Sequence, residues 1–168
     1  MSSSQFALTL AKIRDAAEIA RLSRTLIEQD LAWSWKPQRV AASIRSPGAN
    51  VVVARADHGV AGFGIMRYGD DEAHLDLLAV APSFRGAGLG RRLLEWLERP
   101  ALLGGIGAVI LEVRERNRDA RAFYERLGYR MLGRLDGYYQ GRESAIRMKR
   151  ELGVASRPSV LRPPTAAD

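Results

Sequence analysis

The chain has 168 residues, of which 46% are hydrophobic and 27% charged, and it contains no cysteine. This length suits a single domain with its own core, and the apolar fraction excludes a wholly disordered chain. The absence of cysteine excludes disulfides, a thiolate zinc site and a cysteine nucleophile. No apolar run approaches the ~20 residues of a membrane span, and residues 1–5 lack the features of a signal peptide. We therefore expect a cytoplasmic protein that does not enter a membrane.

The net charge is +7, and all of it lies in the second half of the chain. Residues 1–84 carry nine basic and nine acidic side chains, whereas residues 85–168 carry seventeen basic and ten acidic ones. Such asymmetry indicates an anionic partner, for example a phosphorylated cofactor, a nucleic acid or an acidic protein. The excess of arginine over lysine, 23 against 3, is equally explained by a GC-rich genome. Charge alone does not choose a function.

The first half of the chain predicts a strand, two helices and an antiparallel meander. Apolar spacing of three and four residues predicts the helices, Asp15 is the expected cap of the first, and Pro37 suits the first turn of the second. Valine-rich runs separated by short turns predict three strands. The predicted elements are a strand at 6–13, helices at 15–29 and 37–44, and strands at 50–56, 60–68 and 73–80.

The second half begins with a glycine-rich loop at residues 85–90 and a helix that continues from Arg91. Proline lacks an amide donor, so Pro100 is expected to kink or divide this helix. A strand at 108–113, a helix at 119–127 ended by Gly128, and strands at 129–135 and 144–148 follow. The proline-containing segment 153–168 predicts a flexible tail. The sequence therefore predicts one domain, residues 1–152, of the α/β (α+β) class.

The loop between a strand and a helix start is the usual form of an anion cradle, because glycines let the backbone approach phosphate and the helix end adds positive charge. A dinucleotide site requires different glycine spacing after the first strand, and a P-loop requires a lysine that this loop lacks. The pattern that does match is R-x-x-G-x-G, formed by Arg85, Gly88 and Gly90.

Residues 78–91, Leu-Ala-Val-Ala-Pro-Ser-Phe-Arg-Gly-Ala-Gly-Leu-Gly-Arg, closely resemble the acetyl-CoA-binding motif of the GCN5-related N-acetyltransferases, the GNAT family. Asn117, the Ala120…Phe123-Tyr124 helix and the following Leu-Gly-Tyr at 127–129 match the same family. The resemblance covers about residues 6–150. It implies a GNAT fold: a mixed, mostly antiparallel sheet of six to seven strands, about four flanking helices, and a bulged fourth strand splayed from the fifth.

The resemblance also implies which residues hold acetyl-CoA. The backbone of Leu78, Ala79 and Val80 is expected to pair with pantetheine, and Asn117 to contact the cofactor. The pyrophosphate is expected to lie on the loop amides, with charge added by Arg85, Arg91 or Arg92. These loop amides belong to Gly86, Ala87, Gly88, Leu89, Gly90 and Arg91. No metal is required, because the thioester is already activated.

Direct acyl transfer needs a group that protonates the departing thiolate and a group that takes the amine proton. By resemblance, Tyr124 is the acid, since a tyrosine at this helix position lies beside the thioester sulfur in the family. Glu112 lies in Leu-Glu-Val-Arg, a run that resembles the bacterial ribosomal-protein-alanine N-acetyltransferases, where the corresponding glutamate is the base. His74 is the rival base, and Asp76 on the same strand face could orient it. The choice between Glu112 and His74 stays open at this point.

The expected activity is transfer of an acetyl group to a primary amine, with a protein N-terminal α-amine as the favoured acceptor and a small-molecule amine as the alternative. Trp33 and Trp35 are expected to line the acceptor side. A non-catalytic acyl-CoA-binding module is disfavoured because Tyr124 and Glu112 are both present. A nucleic-acid binder is disfavoured because the arginines are scattered and aromatic residues do not interleave with them. Members of the family are often dimers, so a homodimer is also an expectation.

Overall fold

The computed structural model describes residues 6–153, in which seven strands form one sheet in the order β1-β2-β3-β4-β5-β7-β6. The strands are β1 (Ala7–Leu10), β2 (Ala49–Ala56), β3 (Gly59–Tyr68), β4 (Glu72–Val80), β5 (Ala108–Arg114), β6 (Arg130–Tyr139) and β7 (Glu143–Glu151). The helices are α1 (Ala16–Leu26), α2 (Pro37–Arg45), α3 (Leu89–Leu103) and α4 (Arg118–Arg126). The predicted tail lies, beyond Gly153, outside the described residues.

The sheet has a separate apolar core on each face. Alternate strand residues such as Val51 and Val53 pack with α1 and α2, whereas Val52 and Ala54 pack with α3 and α4. This division follows from the two-residue period of a strand, which sends successive side chains to opposite faces. Within residues 6–153, no helix is both long and apolar enough to span a bilayer.

Strand β4 contains the expected bulge. Leu77 is opposite Ile65 of β3 and Leu75 is opposite Met66, so that Asp76 is the extra residue. A bulge shifts the alternation of side chains by one residue. As a result, Leu75 packs with the α3 core while Leu77 packs with the α1 core.

Strands β4 and β5 separate as the family resemblance implied. They pair in parallel only from Glu72 with Ala108 to Leu75 with Leu111. Beyond this point β4 continues to Val80 and β5 to Arg114 without pairing to each other. The sheet is therefore open between them, and beyond Leu75 this backbone edge of β4 has no strand partner among residues 6–153.

The N-terminal elements are shorter than predicted. The first strand ends at Leu10 rather than residue 13, and the first helix ends at Leu26 rather than residue 29. Asp15 precedes α1 but its side chain makes no cap hydrogen bond to that helix. Its carboxylate instead accepts from the Lys12 amide and pairs with both terminal nitrogens of Arg55, a charged partner that the local sequence does not show.

Of the two expected effects of Pro100, a kink or a division of the third helix, division does not occur, because α3 runs unbroken from Leu89 to Leu103. Proline has no amide to donate to the carbonyl four residues earlier, that of Trp96, so one intrahelical hydrogen bond is lost. The Tyr68 hydroxyl donates to the Leu97 carbonyl at 2.7 Å in the turn before Pro100. Leu97 and Ala101 are fully buried on either side of Pro100, so packing also holds the helix together.

Candidate active site

The glycine loop presents a row of free amide groups at the start of α3. The amides of residues 86–91 have no hydrogen-bond acceptor within residues 6–153, and the first amide bond of the helix is from Arg92 to the Gly88 carbonyl. Gly86 and Gly88 have positive φ angles of 83° and 78°, a conformation that glycine adopts without steric cost. Free amides at a helix N-terminus bind anions, so the loop fits a pyrophosphate.

The other predicted loop residues have distinct environments. Leu89 is buried in the α3 core, and Gly90 lies where an added Cβ would be 3.3 Å from the Phe123 ring. The Arg85 Nε donates to the Val80 carbonyl at 3.0 Å, and Arg91 pairs with Glu95 one helical turn on. Both guanidinium groups lie on the exposed side of the loop. The loop thus combines glycine backbone with flanking positive charge.

The backbone of Leu78, Ala79 and Val80 lies at the open edge of β4. On one side these residues pair with Gly64, Phe63 and Gly62 of β3, and their other side faces the gap toward β5. The Val80 carbonyl already accepts from Arg85, which leaves the backbone nearer the bulge as the free part of the edge. An extended ligand with amide groups could pair with this edge as a further strand.

Asn117 caps α4, since its Oδ1 accepts from the Ala120 amide at 3.1 Å. This local bond explains asparagine at the helix start. Its Nδ2 group has no acceptor within the described part of the chain, so a donor remains for a ligand. The sequence associated Asn117 with the cofactor, and the structure adds the capping role.

Tyr124 lies on α4 with only 8% of its surface exposed, and its ring meets the edges of Phe123 and Tyr129. Burial raises the pKa of Tyr124 well above its usual value of 10. Within residues 6–153 burial is the only influence on this hydroxyl, with no hydrogen bond to another group. Tyr124 is therefore a neutral phenol at neutral pH whose proton is not committed to another group of the described chain.

Glu112 projects from the opposite face of the sheet. Its neighbours Leu111 and Val113 pack in the core with α3 and α4, so the alternation of β5 turns Glu112 away from that core. The gap between β4 and β5 begins at this level of the sheet. Tyr124 and Glu112 thus lie on opposite faces of the sheet, an arrangement that suits an acid and a base on opposite sides of a reacting carbonyl.

The structure brings both candidate bases into one cluster. His74 Nε2 lies 2.5 Å from Glu112 Oε2, and His74 Nδ1 lies 2.6 Å from Asp76 Oδ1. Arg67 donates to both Asp76 oxygens, and Arg147 donates twice to Glu112 Oε1. We call these five residues, Arg67, Asp76, His74, Glu112 and Arg147, the charged cluster. It crosses four neighbouring strands.

The ionisation of the charged cluster follows from these contacts. Hydrogen bonds to Asp76 and then Glu112 raise the pKa of His74 from 6.5 to about 9. Burial alone would raise the pKa of Glu112, but hydrogen bonds and charge from His74 and Arg147 outweigh it and lower that pKa. The pKa of Asp76 is lowered in the same way by His74 and Arg67. At neutral pH His74 is an imidazolium between two carboxylates.

The raised pKa of His74 predicts a pH-dependent stability. The contribution of the His74 contacts to the free energy of unfolding is fully present below the unfolded-state pKa of 6.5. This contribution is lost as the pH rises through the folded-state pKa of about 9. We expect the free energy of unfolding to fall by roughly 2 kcal/mol between pH 7 and pH 10, and His74→Gln to remove this decrease. Urea unfolding at several pH values measures it. His58→Gln, at an exposed turn, is the control and should keep the slope; an unchanged slope in His74→Gln would contradict the assignment.

Two loops close around the face that bears the charged cluster. The Gln140 side chain, in the β6–β7 turn, accepts from the Ala32 amide at 2.9 Å and donates to the Ala32 carbonyl at 3.0 Å. Arg114 pairs with Glu143 and donates to the carbonyls of Ile27 and Gln29. These contacts join the segment between α1 and α2 to the end of the sheet.

Trp35 is not exposed, although the sequence predicted that it would line the acceptor side. It is buried in the α1 core, and the Arg39 guanidinium lies 3.9 Å from its ring centroid. Trp33 is half-buried, with its Nε1 donating to the Ala20 carbonyl and Arg24 near its ring. The two tryptophans therefore anchor the loop after α1. The buried carboxylate of Glu28 also holds this loop, since it accepts from the amide of Trp35.

Sequence reasoning missed both arginines of the charged cluster. Arg147 lies between Ile146 and Met148 on β7, directly across from Glu112, and Arg67 follows buried Met66 on β3. The available signal was alternation, which places both arginines outside the apolar core. Their partners depend on strand order, and no local pattern shows that order.

Comparison with known proteins agrees with this geometry. Residues 14–129 match the Acetyltransferase (GNAT) family. The chain belongs to this family and is an N-acetyltransferase. N-alpha-acetyltransferase RimI of Mycobacterium tuberculosis is 35% identical over 147 residues, which are 84% of this chain and 90% of that protein. The matches to ribosomal protein bS18-alanine N-acetyltransferases of Salmonella typhimurium and Escherichia coli span 65% and 62% of those proteins.

Solved structures show the same fold. The ribosomal-protein-S18-alanine N-acetyltransferase from Escherichia coli superposes with a TM-score of 0.77 at 28% identity, over 91% of this chain and 97% of that one. Arabidopsis thaliana NAA60, solved in complex with acetyl-CoA, has a TM-score of 0.76 at 15% identity, over 88% of this chain and 99% of that one. The splayed sheet is thus the GNAT fold, and relatives with this fold bind acetyl-CoA.

Proposed function

We propose that this protein transfers an acetyl group from acetyl-CoA directly to a protein N-terminal α-amine. The observation that supports this most strongly is the gap between β4 and β5. Free amides of residues 86–91 lie at the start of α3, Tyr124 is on one face and Glu112 is on the other. Relatives named for N-terminal alanine acetylation support the choice of acceptor.

The residues present fit acetyl-CoA. Its pyrophosphate would lie on the amides of residues 86–91, with Arg85 and Arg91 adding charge, and its pantetheine would pair with the β4 edge from Leu78 toward Val80. When bound, acetyl-CoA supplies an activated thioester carbonyl. The Nδ2 donor of Asn117 is a further contact.

Glu112 and Tyr124 would move the two protons of the transfer. Glu112 takes the proton that the amine nitrogen loses as its bond to the acetyl carbon forms. Tyr124 would donate its hydroxyl proton to the sulfur as the carbon–sulfur bond breaks, and solvent would then return a proton to Tyr124 and remove one from Glu112. An α-amine with a pKa of about 8 is partly neutral at pH 7.5, whereas a lysine amine at about 10.4 is almost wholly charged, so this weak base suits the α-amine better.

Acetyl-CoA binding is tested by thermal unfolding. At a ligand concentration of 100 Kd, binding stabilises the folded protein by about 2.7 kcal/mol, and Tm should rise by several degrees. Gly88→Ala places a side chain on left-handed backbone, which costs ~1–2 kcal/mol. The loop should then leave the conformation that holds the pyrophosphate, and its affinity for acetyl-CoA should fall about tenfold. Gly133→Ala, with no atom within 4 Å of the added Cβ, should bind normally. No Tm rise in the parent protein would contradict the proposal.

The acceptor is tested by thiol release with an amine panel. Short peptides with a free Ala or Ser N-terminus should be acetylated, and mass spectrometry should place the acetyl group on the α-amine. N-terminally blocked peptides with an internal lysine are the matched control and should react at least about tenfold more slowly. If only small amines are acetylated, the acceptor is a small-molecule amine and the proposed peptide acceptor is wrong.

A further inference from the structure

One arginine joins the connection between α1 and α2 to the sheet. We call this connection, residues 27–36, the latched segment. Arg114 at the end of β5 donates to the Gln29 carbonyl at 2.7 Å and to the Ile27 carbonyl at 3.3 Å. The same guanidinium binds Glu143 at the start of β7, with Nε 2.7 Å from Oε2. The two carbonyls lie just past the end of α1, where positive charge is favourable. Arg114 thus holds the latched segment against two strands.

A glutamine makes a second latch. Gln140, in the β6–β7 turn, lies 108 positions from Ala32 and binds both backbone groups of that residue, at 2.9 Å and 3.0 Å. Within residues 6–153, the non-glycine residues with positive φ are Asp30 at 65° and Gln140 at 57°. Such backbone is strained, persists where surrounding contacts over-determine it, and concentrates at ligand clamps. The strain therefore lies in the two pieces of chain that this latch joins.

The latched segment also has an anchor inside it. The buried carboxylate of Glu28 accepts from the amides of Ser34 and Trp35, at 2.7 Å and 3.2 Å. These bonds close the segment on itself, so that it can shift as one unit. The two latches to the sheet then fix the position of the whole segment.

The latches lie on the face of the sheet that an acceptor amine has to reach. Glu112 is two residues before Arg114 on β5, and both side chains point away from the α3 core because Leu111 and Val113 point into it. Two strand residues span about 7 Å. Strands β4 and β5 part beyond Leu111, so the gap opens from Glu112 toward the first latch. An amine that gives its proton to Glu112 therefore approaches beside the latched segment.

We propose that Arg114 and Gln140 are positioning residues for the acceptor, because they hold the latched segment as the surface on which the peptide binds beside Glu112. This inference rests on the proposed peptide acceptor. When a latch is lost, only a fraction of the molecules presents this surface, and the apparent affinity for the acceptor falls by that fraction. Binding of acetyl-CoA should not change, because its proposed contacts lie on α3, α4 and β4.

The first test is Gln140→Ala, which removes both hydrogen bonds of the second latch from an exposed turn. With a peptide that has a free Ala N-terminus, we expect the KM of the acceptor to rise about three- to tenfold and kcat to stay within about twofold. The Tm rise with acetyl-CoA should be the same as in the parent protein. Gln38→Ala is an equal change on exposed α2 surface and should keep the parent KM.

The second test is Arg114→Gln, for which we expect the acceptor KM to rise about tenfold or more, since charge-assisted hydrogen bonds are lost. Arg55→Gln is the matched control. Arg55 makes the same kind of two-nitrogen pair with buried Asp15, which joins β2 to the residue before α1. Both variants should lower Tm, but only Arg114→Gln should raise the acceptor KM. A purely structural role of Arg114 would not produce this difference.

Amide hydrogen exchange reports on the latched segment without turnover. Exchange across residues 27–36 should be faster in Gln140→Ala and Arg114→Gln than in their two controls. An acceptor KM within about twofold of the parent value in both latch variants, unchanged exchange, or an equal rise in KM in the controls would overturn the inference while N-terminal acetylation stands. Failure of the proposed function would appear differently, as a parent protein that acetylates no peptide.

Discussion

Replacing Tyr124 by Phe should lower kcat by about 10²-fold or more while leaving acetyl-CoA binding within about twofold. General acid catalysis accelerates such reactions by about 10²–10⁴-fold, and replacement by Phe removes only the hydroxyl group that donates the proton. The Tyr124 hydroxyl has no hydrogen-bond partner within residues 6–153, so Tm should not fall. The steady-state rate of thiol release measures kcat, and the thermal shift with CoA measures the binding affinity.

Tyr129→Phe is the matched control for this change. Tyr129 is also buried, its ring lies 5.6 Å from that of Tyr124, and burial raises its pKa too. Its hydroxyl is influenced by Glu98 of α3, which is not part of the proposed acid–base pair, so its variant should retain kcat. Full activity in Tyr124→Phe, or an equal loss in both variants, would rule out Tyr124 as the acid.

Replacing Glu112 by Gln should lower kcat/KM by about 10²-fold or more at pH 7.5, because the amine then loses its proton acceptor. Raising the pH should recover part of this loss, since an α-amine with a pKa of about 8 becomes neutral without help. A purely structural defect would not show this recovery. The pH dependence of kcat/KM between 6.5 and 9.5 measures it, and Glu115→Gln, in the turn after β5 and outside the charged cluster, is the control.

The same profile decides between Glu112 and His74. If Glu112 is the base, His74→Gln should cost less than about tenfold, because it removes a positioning contact rather than the proton acceptor. The imidazolium at neutral pH has no free nitrogen to take a proton, which favours Glu112. A loss in His74→Gln larger than that in Glu112→Gln would assign the role to His74.

Several features follow from local sequence alone. Glycines at 86 and 88 specify left-handed backbone before a helix, and so the anion cradle could be predicted from residue types. The apolar spacing of α4 places Tyr124 on the same helix face as core residues, and turn residues identified the strand meander. These predictions depend on interactions over a few residues, which any stretch of sequence contains.

The tertiary structure decided the rest. Asp15 binds Arg55 rather than its helix, and α3 continues through Pro100 because Tyr68 and buried neighbours support it. The bulge at Asp76 and the strand order place His74 against Glu112, residues 38 positions apart, so two rival bases became one cluster. Which charges are buried and which are exposed depends on pairing between distant strands, and such pairing is a property of the folded sheet.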